Sequence, residues 1–528
     1  MRQLSLLLCA LPAVSSALIT TLNPTAPIKN ANHIFNVIHD SMRQWGSSLH
    51  HNGVSFFLAG VPAGTHFYHG TSVSDPVNGT EWLAFEPEHA MVFARPPWGP
   101  PPHGSPVDDD ARQRNRGHGE LRMREDHSGQ HSVFNEDENG YLHTYAAAKD
   151  LRLLYIDGMS AAKTSKGTLD SQDVVLFNGS FEGEPGWMGR EGERAMLACD
   201  MADNQWEGRI DGVLRMEAGF EIILCHFERD LVPVRITQAQ KREDLASMDR
   251  GYGDRDGLRG QDDGMGRRPV GPGVPGRPPQ GPGKSPNSAR WMRAVTARYN
   301  GIGGRRVSLN FNHFVTAFAH DVDLFQDDTG LPRLANLSYE ELAPIRAGIT
   351  DLIMNHHPAE DCEDWQAIAD MIVTRYSKEL AYFGSGAIDS IEDLQSEIDR
   401  LFSPFIDYGD RDDAAEIERC ATQFLPSGLE TGGLAGRAIY GVANRICSDL
   451  LRAGKKADLE SAAQVIKKLI GYLDWATWKE CRGCAANEIC VVPIWPMGTV
   501  QDYENPKCKD ASDPYGEGGE SYWNAPHY

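Results

Sequence analysis

The chain has 528 residues and a formal net charge of −23, from 74 acidic against 51 basic side chains. That length allows two or three domains, each large enough to bury a core. The acidic surplus argues against a nucleic-acid partner, because such binding draws most of its affinity from cations that neutralise phosphates.

In chain order, Met1 to Ala17 comes first and reads as a secretory signal peptide. Arg2 supplies the charge, Leu4 to Leu11 the apolar run, and Ser15 and Ala17 the small residues at the cleavage point. The expected mature chain starts near Leu18, and no later apolar run is long enough to span a bilayer. A secreted, extracellular protein without a membrane span is therefore expected. His33 to Trp45 carries apolar residues at helical spacing, and Val54 to Gly60 is a short apolar strand.

The stretch from Phe67 to Arg95 follows as strand FYHGTS, polar turn, strand EWLAF, and a helix opened by Pro87 with Glu88 in its first turn. Proline loses no hydrogen bond at the first helical position, and an acid suits the positive helix end. Pro96 to Gly140 lacks periodicity and reads as a disordered insertion whose histidines are solvated. Tyr141 to Tyr145 and Leu151 to Ile156 resume a strand pattern. Met159 to Asp173 is polar and turn-forming, and Arg194 to Met201 is a helix. Phe220 to Cys225 is then a buried strand, with Glu217 before it and Glu221 inside it. Val232 to Ile236 gives a last strand.

Lys241 to Arg290 is a linker: between Gly251 and Ser285 there are eleven Gly and six Pro in 35 residues, a composition that cannot bury enough apolar surface to offset chain ordering. From Trp291 the pattern turns helical, with apolar periodicity over Leu342–Met354, Trp365–Phe383, Ile388–Phe405, Leu434–Leu451 and Leu459–Trp478. These imply a compact all-α domain over 291–480. The tail from 481 to 528, rich in Cys, Pro and aromatics, reads as irregular.

Ten cysteines are present, and Cys9 leaves with the signal peptide. An oxidising compartment predicts up to four disulfides and one further thiol among Cys199, Cys225, Cys362, Cys420, Cys447, Cys481, Cys484, Cys490 and Cys508. The C-x-x-C at Cys481 and Cys484, with Cys490 and Cys508 beyond it, also admits a zinc reading. The signal peptide favours disulfides, and no metal is expected. Glycosylation sequons begin at Asn78, Asn178 and Asn336.

The YHGTS strand, the WLAF-x-PEHA-x-x-FA unit, the LHTY and LRLLYIDG strands and the late EIILC strand together resemble the ADP-ribosyltransferase fold, over roughly the first half of the mature chain. The resemblance implies an α+β chain whose residues 18–240 form a split β-sheet domain, with NAD as cofactor in a cleft between two small sheets. By the same resemblance His69 grips a ribose hydroxyl, Gly70 leaves the backbone open to the ligand and Thr71 supports it. Glu221, with Glu217 as the alternative, is the carboxylate that stabilises the cation-like sugar of the transition state. Trp82 stands where many members carry Tyr, and can stack on nicotinamide but has no hydroxyl to donate. Read without the resemblance, His69 is a turn residue, Trp82 a core aromatic and Glu221 the partner of Arg215 or Arg209.

Nearly the whole chain also resembles secreted effector-like proteins of filamentous ascomycetes, through YHGTS, IDGMSAAKT, GFEIILC, WKEC and PIWPMG. This implies a host or cell-surface protein as partner. Three readings stay open: an NAD-using transferase or glycohydrolase, an inactive binding or effector protein on a transferase-like fold, and a structural extracellular protein.

Overall fold

Alternating and fully apolar runs in the N-terminal half become strands, and these assemble one nine-stranded sheet in the order β8-β4-β2-β3-β7-β6-β5-β1-β9. In the computed structural model, residues 28–95, 139–181, 189–241, 286–326, 329–358, 363–425, 433–515 and 520–523 are described. The strands are β1 (Asn52–Val61), β2 (His66–Thr71), β3 (Glu81–Ala84), β4 (Asn139–Ala147), β5 (Leu151–Gly158), β6 (Gly212–Met216), β7 (Phe220–Leu224), β8 (Leu231–Lys241) and β9 (Ser308–Thr316). Only β5 and β6 run parallel; the other neighbours are antiparallel.

Two separate small sheets were expected, and one continuous sheet is found. It does have a narrow seam. β2 and β3 share a single register pair, Tyr68 with Ala84, whereas β2 and β4 pair along six residues. The three strands β8, β4 and β2 thus meet the other six through a short ladder. Across it the His69 Nδ1 bonds the Trp82 carbonyl at 2.8 Å, so a side chain supplies part of what the backbone ladder lacks.

The C-terminal half is helical, as its periodicity requires. Its helices include Tyr339–Asn355, Trp365–Gly384, Ile391–Phe402, Asp413–Thr422, Leu434–Gly454 and Leu459–Leu473. Ser338, Asp364, Ser390, Asp412 and Asp458 cap five of them through side-chain bonds to backbone N–H groups, each cap satisfying a donor that the helix start leaves unpaired. The all-α expectation fails at one element. β9 leaves this half and pairs along β1, with Phe57 opposite Phe314 and Ser55 opposite Thr316.

A reciprocal crossing runs the other way. The expected His33–Trp45 helix is two, α1 (Ala31–Asp40) and α2 (Gln44–Leu49), and both dock on the helical half. Asn32 and Asn36 donate to the Tyr472 and Leu473 carbonyls at 2.7 and 2.9 Å, and the Trp45 indole donates to Ala476 O at 3.0 Å. One hydrophobic core therefore runs through both halves.

The linker expectation is trimmed at both ends, since Lys241 closes β8 and a helix begins at Pro286. The rest of it, most of Pro96–Gly140, the signal peptide and Cys362 lie outside the described residues. The tail is more regular than expected: β10 (Glu488–Val491) and β11 (Lys507–Asp510) form a hairpin. Among the described residues no helix is long and apolar enough to cross a membrane.

Candidate functional site: two faces of one sheet

Side chains alternate between the faces of a strand, so register decides which residues meet. Tyr68 lies opposite Ala84, and Ala84 opposite Glu221; these three share a face. His69, one residue along β2, therefore points to the other. The residues expected to flank one NAD are separated by the sheet itself.

On the His69 face the imidazole's ring neighbours are Phe227 and His143, and the buried Glu81 alternates onto the same face from β3. The His69 ring lies 5.7 Å from Phe227 and 6.1 Å from His143, its register partner on β4. Burial lowers the His69 imidazole to about 4, keeping it neutral. His143 is likewise lowered by burial, and its Nε2 bonds the Val73 carbonyl at 2.8 Å. Thr71 alternates onto the same face, and its hydroxyl accepts from Val73 N at 3.3 Å.

Gly70 and Trp82 turn towards the Glu221 face, but the space at Gly70 is already taken. A Cβ placed there would lie 1.9 Å from the Ala90 carbonyl oxygen and 2.7 Å from Ala94 N. The glycine is thus required by close approach of the chain's own backbone, at the end of the short Pro87–Ala90 helix. Trp82 is half-buried against the core.

The Glu221 face holds a buried ionic network. Arg215, the register partner of Glu221 across the β6–β7 hairpin, donates from Nε to Glu221 at 2.8 Å, from Nη1 to Gln172 at 2.6 Å, and from Nη2 to Glu191. Lys163 bonds Glu217 and stands 3.6 Å from Glu191. Arg194 reaches Asp173 at 2.7 Å and Glu191 at 3.3 Å. Carboxylate oxygens of Glu191, Glu217 and Glu221 all lie within 4.8 Å of one another. Of the two sequence candidates for Glu221's partner, Arg215 is the one found.

Electrostatics splits these acids. Burial works against ionisation of Glu191, but Arg215, Lys163 and Arg194 outweigh it and hold the carboxyl at about 2. At Glu217 burial prevails over Lys163, and its carboxyl is raised, with Glu221 and Glu191 adding like-charge repulsion. Lys163 and Arg215 are both raised, their acidic neighbours outweighing the burial cost.

Sequence reading named Glu217 and Glu221 but missed Lys163, Gln172 and Glu191. Lys163 and Gln172 lie in the Met159–Asp173 run, which its composition marked only as polar and turn-forming; in the fold most of it is buried. An acid inside an apolar strand was the available signal, since a buried carboxylate needs cations close by.

Among the described residues, eight cysteines pair as Cys199–Cys225, Cys420–Cys447, Cys481–Cys490 and Cys484–Cys508. Asn78, Asn178 and Asn336 are all exposed.

Residues 24–249 match the sequence model of a family described as the YPL277C N-terminal domain. Two Saccharomyces cerevisiae (strain ATCC 204508 / S288c) proteins are similar to part of this chain. The uncharacterized protein YPL277C is 34% identical over 226 residues, which cover 38% of this chain and 42% of its own. The uncharacterized protein YOR389W is 36% identical over 221 residues, covering 38% of this chain and 32% of its own. The chain thus spans less than half the length of either relative. No solved structure matches.

Proposed function

We propose that this is a secreted, disulfide-stapled binding protein of the effector kind, whose N-terminal domain keeps a transferase-like order of strands without gathering an NAD site. The observation that carries the reading is the opposite facing of His69 and Glu221, fixed by the Tyr68–Ala84–Glu221 register row. Two local facts support it. His69 spends its Nδ1 on the Trp82 carbonyl, and the Ala90 carbonyl fills the space beside Gly70 that a ligand would need. Its partner is then a host or cell-surface protein rather than a nucleotide. Four disulfides are the stapling expected of an oxidising compartment. Calorimetry with NAD and a nicotinamide-release assay on disulfide-intact protein test it: neither binding nor release is expected. Stoichiometric NAD binding that His69→Ala weakens would overturn it. N-terminal sequencing of the exported chain, expected to begin near Leu18, tests secretion.

One observation favours a second reading, in which NAD chemistry runs on the ionic face alone. Glu217, held towards its protonated form, and Glu191, held ionised, stand within 4.8 Å of Glu221, and environments that push neighbouring acids apart suit acid–base work on a glycosidic bond. Its signature is nicotinamide release that Glu221→Gln slows by about a hundredfold or more and that His69→Ala leaves unchanged.

A further inference from the structure

The two tail disulfides are not independent staples. Cys481 and Cys484 belong to one Cys-Arg-Gly-Cys loop, and Cys490 and Cys508 stand directly opposite each other on β10 and β11. The bonds cross between these pairs, Cys481 to Cys490 and Cys484 to Cys508. All four sulfurs consequently form one cluster, and those of Cys481, Cys484 and Cys508 lie within 4.8 Å of one another. We propose that this cluster is a two-state site: two disulfides when oxidised, and a tetrahedral four-thiolate site for a soft divalent cation, zinc above all, when reduced.

The geometry suits the metal for three reasons. First, a Zn–S bond of about 2.3 Å sets tetrahedral sulfurs about 3.8 Å apart. The sulfurs of Cys481, Cys484 and Cys508 already lie within 4.8 Å of one another, so opening the two S–S bonds leaves them near that spacing. Second, Gly483 sits at φ +72 between the two loop cysteines, a left-handed conformation open to glycine that lets a short loop turn two side chains inward. Third, the Cys481 amide already donates to the Cys490 sulfur at 3.0 Å, and a backbone N–H aimed at sulfur stabilises the thiolate a metal needs. The spacing is not that of two successive C-x-x-C loops; the hairpin supplies the second pair by register.

The chemistry balances simply. A phosphine gives two electrons to each disulfide and takes its oxide oxygen from a water molecule, whose two protons complete the thiols, so two disulfides, two phosphines and two waters leave four thiols and two phosphine oxides. Zinc then displaces four protons as four Zn–S bonds form. Reduction also reaches this cluster first. All four of its cysteines are partly exposed, whereas Cys199, Cys225, Cys420 and Cys447 are 5% exposed or less. The tail it staples is docked on the N-terminal half, with the Trp495 indole donating to the Lys163 carbonyl at 3.1 Å and the Tyr522 hydroxyl 2.8 Å from His51 Nε2. A metal in place of the disulfides would keep that dock in a reducing compartment.

The test uses the full chain, treated anaerobically with a phosphine until the tail thiols alone titrate and then given Co²⁺ or Zn²⁺. One cobalt per chain is expected, with the intense near-ultraviolet thiolate-to-cobalt absorption and the visible bands of a tetrahedral sulfur site. Equimolar zinc should displace it. The Cys481→Ser/Cys484→Ser double variant should lose the spectrum, whereas Cys420→Ser/Cys447→Ser should keep it. Proteolysis of the tail, faster in reduced metal-free protein and restored to the oxidised rate by zinc, reads the same site without relying on a variant that folds. Four titratable tail thiols with no cobalt absorption, or an unchanged spectrum in the Cys481→Ser/Cys484→Ser variant, would overturn the proposal.

Discussion

The two faces of the central sheet solve burial differently. At His69 itself the contacts are neutral: one imidazole nitrogen bonds a carbonyl, and the Phe227 and His143 rings lie beside it. Around Glu221 the groups are charged, and each is balanced by an opposite charge within hydrogen-bond reach. The His69 side limits the cost of ions by holding its two histidines towards the neutral form through burial. The ionic face accepts that cost and offsets it with paired geometry, which makes it intolerant of losing a single partner.

The largest effect is therefore expected at Arg215. Arg215→Met keeps the bulk but leaves Glu221 and Glu191 buried without their shared cation, and should cost about 3–5 kcal/mol in urea unfolding. Replacing Glu221 by Met as well should recover part of the loss. A loss under about 1 kcal/mol for the single variant would show that the network is hydrated enough to forgo pairing.

Next in size is Gly70→Ala, which drives a methyl into the Ala90 carbonyl. Backbone cannot swing aside as a side chain can, so about 1–3 kcal/mol should be lost. A neutral result there would mean that the 90–94 backbone can move away, leaving room beside β2 for a ligand.

Acid should separate the two faces by pH. His69 folds with its imidazole lowered from 6.5 to about 4, so between those values the unfolded chain takes up a proton that the folded one refuses. Its contribution is complete above pH 6.5 and is lost as pH falls towards 4. Glu191 is lowered from 4.5 to about 2; its contribution is present above 4.5 and is lost as pH falls towards 2. Urea midpoints against pH should show a shallower slope between 6.5 and 4 for His69→Gln, and between 4.5 and 2 for Glu191→Gln. If both variants flatten the same window, the faces are coupled.

The smallest effect belongs to a pair that only borders the ionic face. Arg190 and Glu193 bond on the surface, three residues apart, and solvent screening limits Arg190→Ala to about 0.5 kcal/mol or less. A larger cost would extend the network outward to the surface.

By itself the sequence determined the local elements and the burden they carry. Period-two and fully apolar runs fixed β1, β5 and β7, Pro87 the start of its helix, and three- and four-residue periodicity most of the C-terminal helices, because each follows from backbone geometry and the cost of exposing apolar faces. An acid within EIILC announced that cations must come near it. Tertiary structure decided which: of the two arginines the sequence offered it selects Arg215, and only packing against the sheet brings in Lys163 and the further acid Glu191, both distant in sequence from Glu221. It also decided that β9 returns to the sheet, since a strand's partner is chosen by long-range hydrogen bonds that no local window contains. Likewise His69 and Glu221 each sit on a recognisable strand, yet whether they share a face depends on register across β3. A shift of one residue reverses that outcome, and no local pattern in β2 or β7 records it.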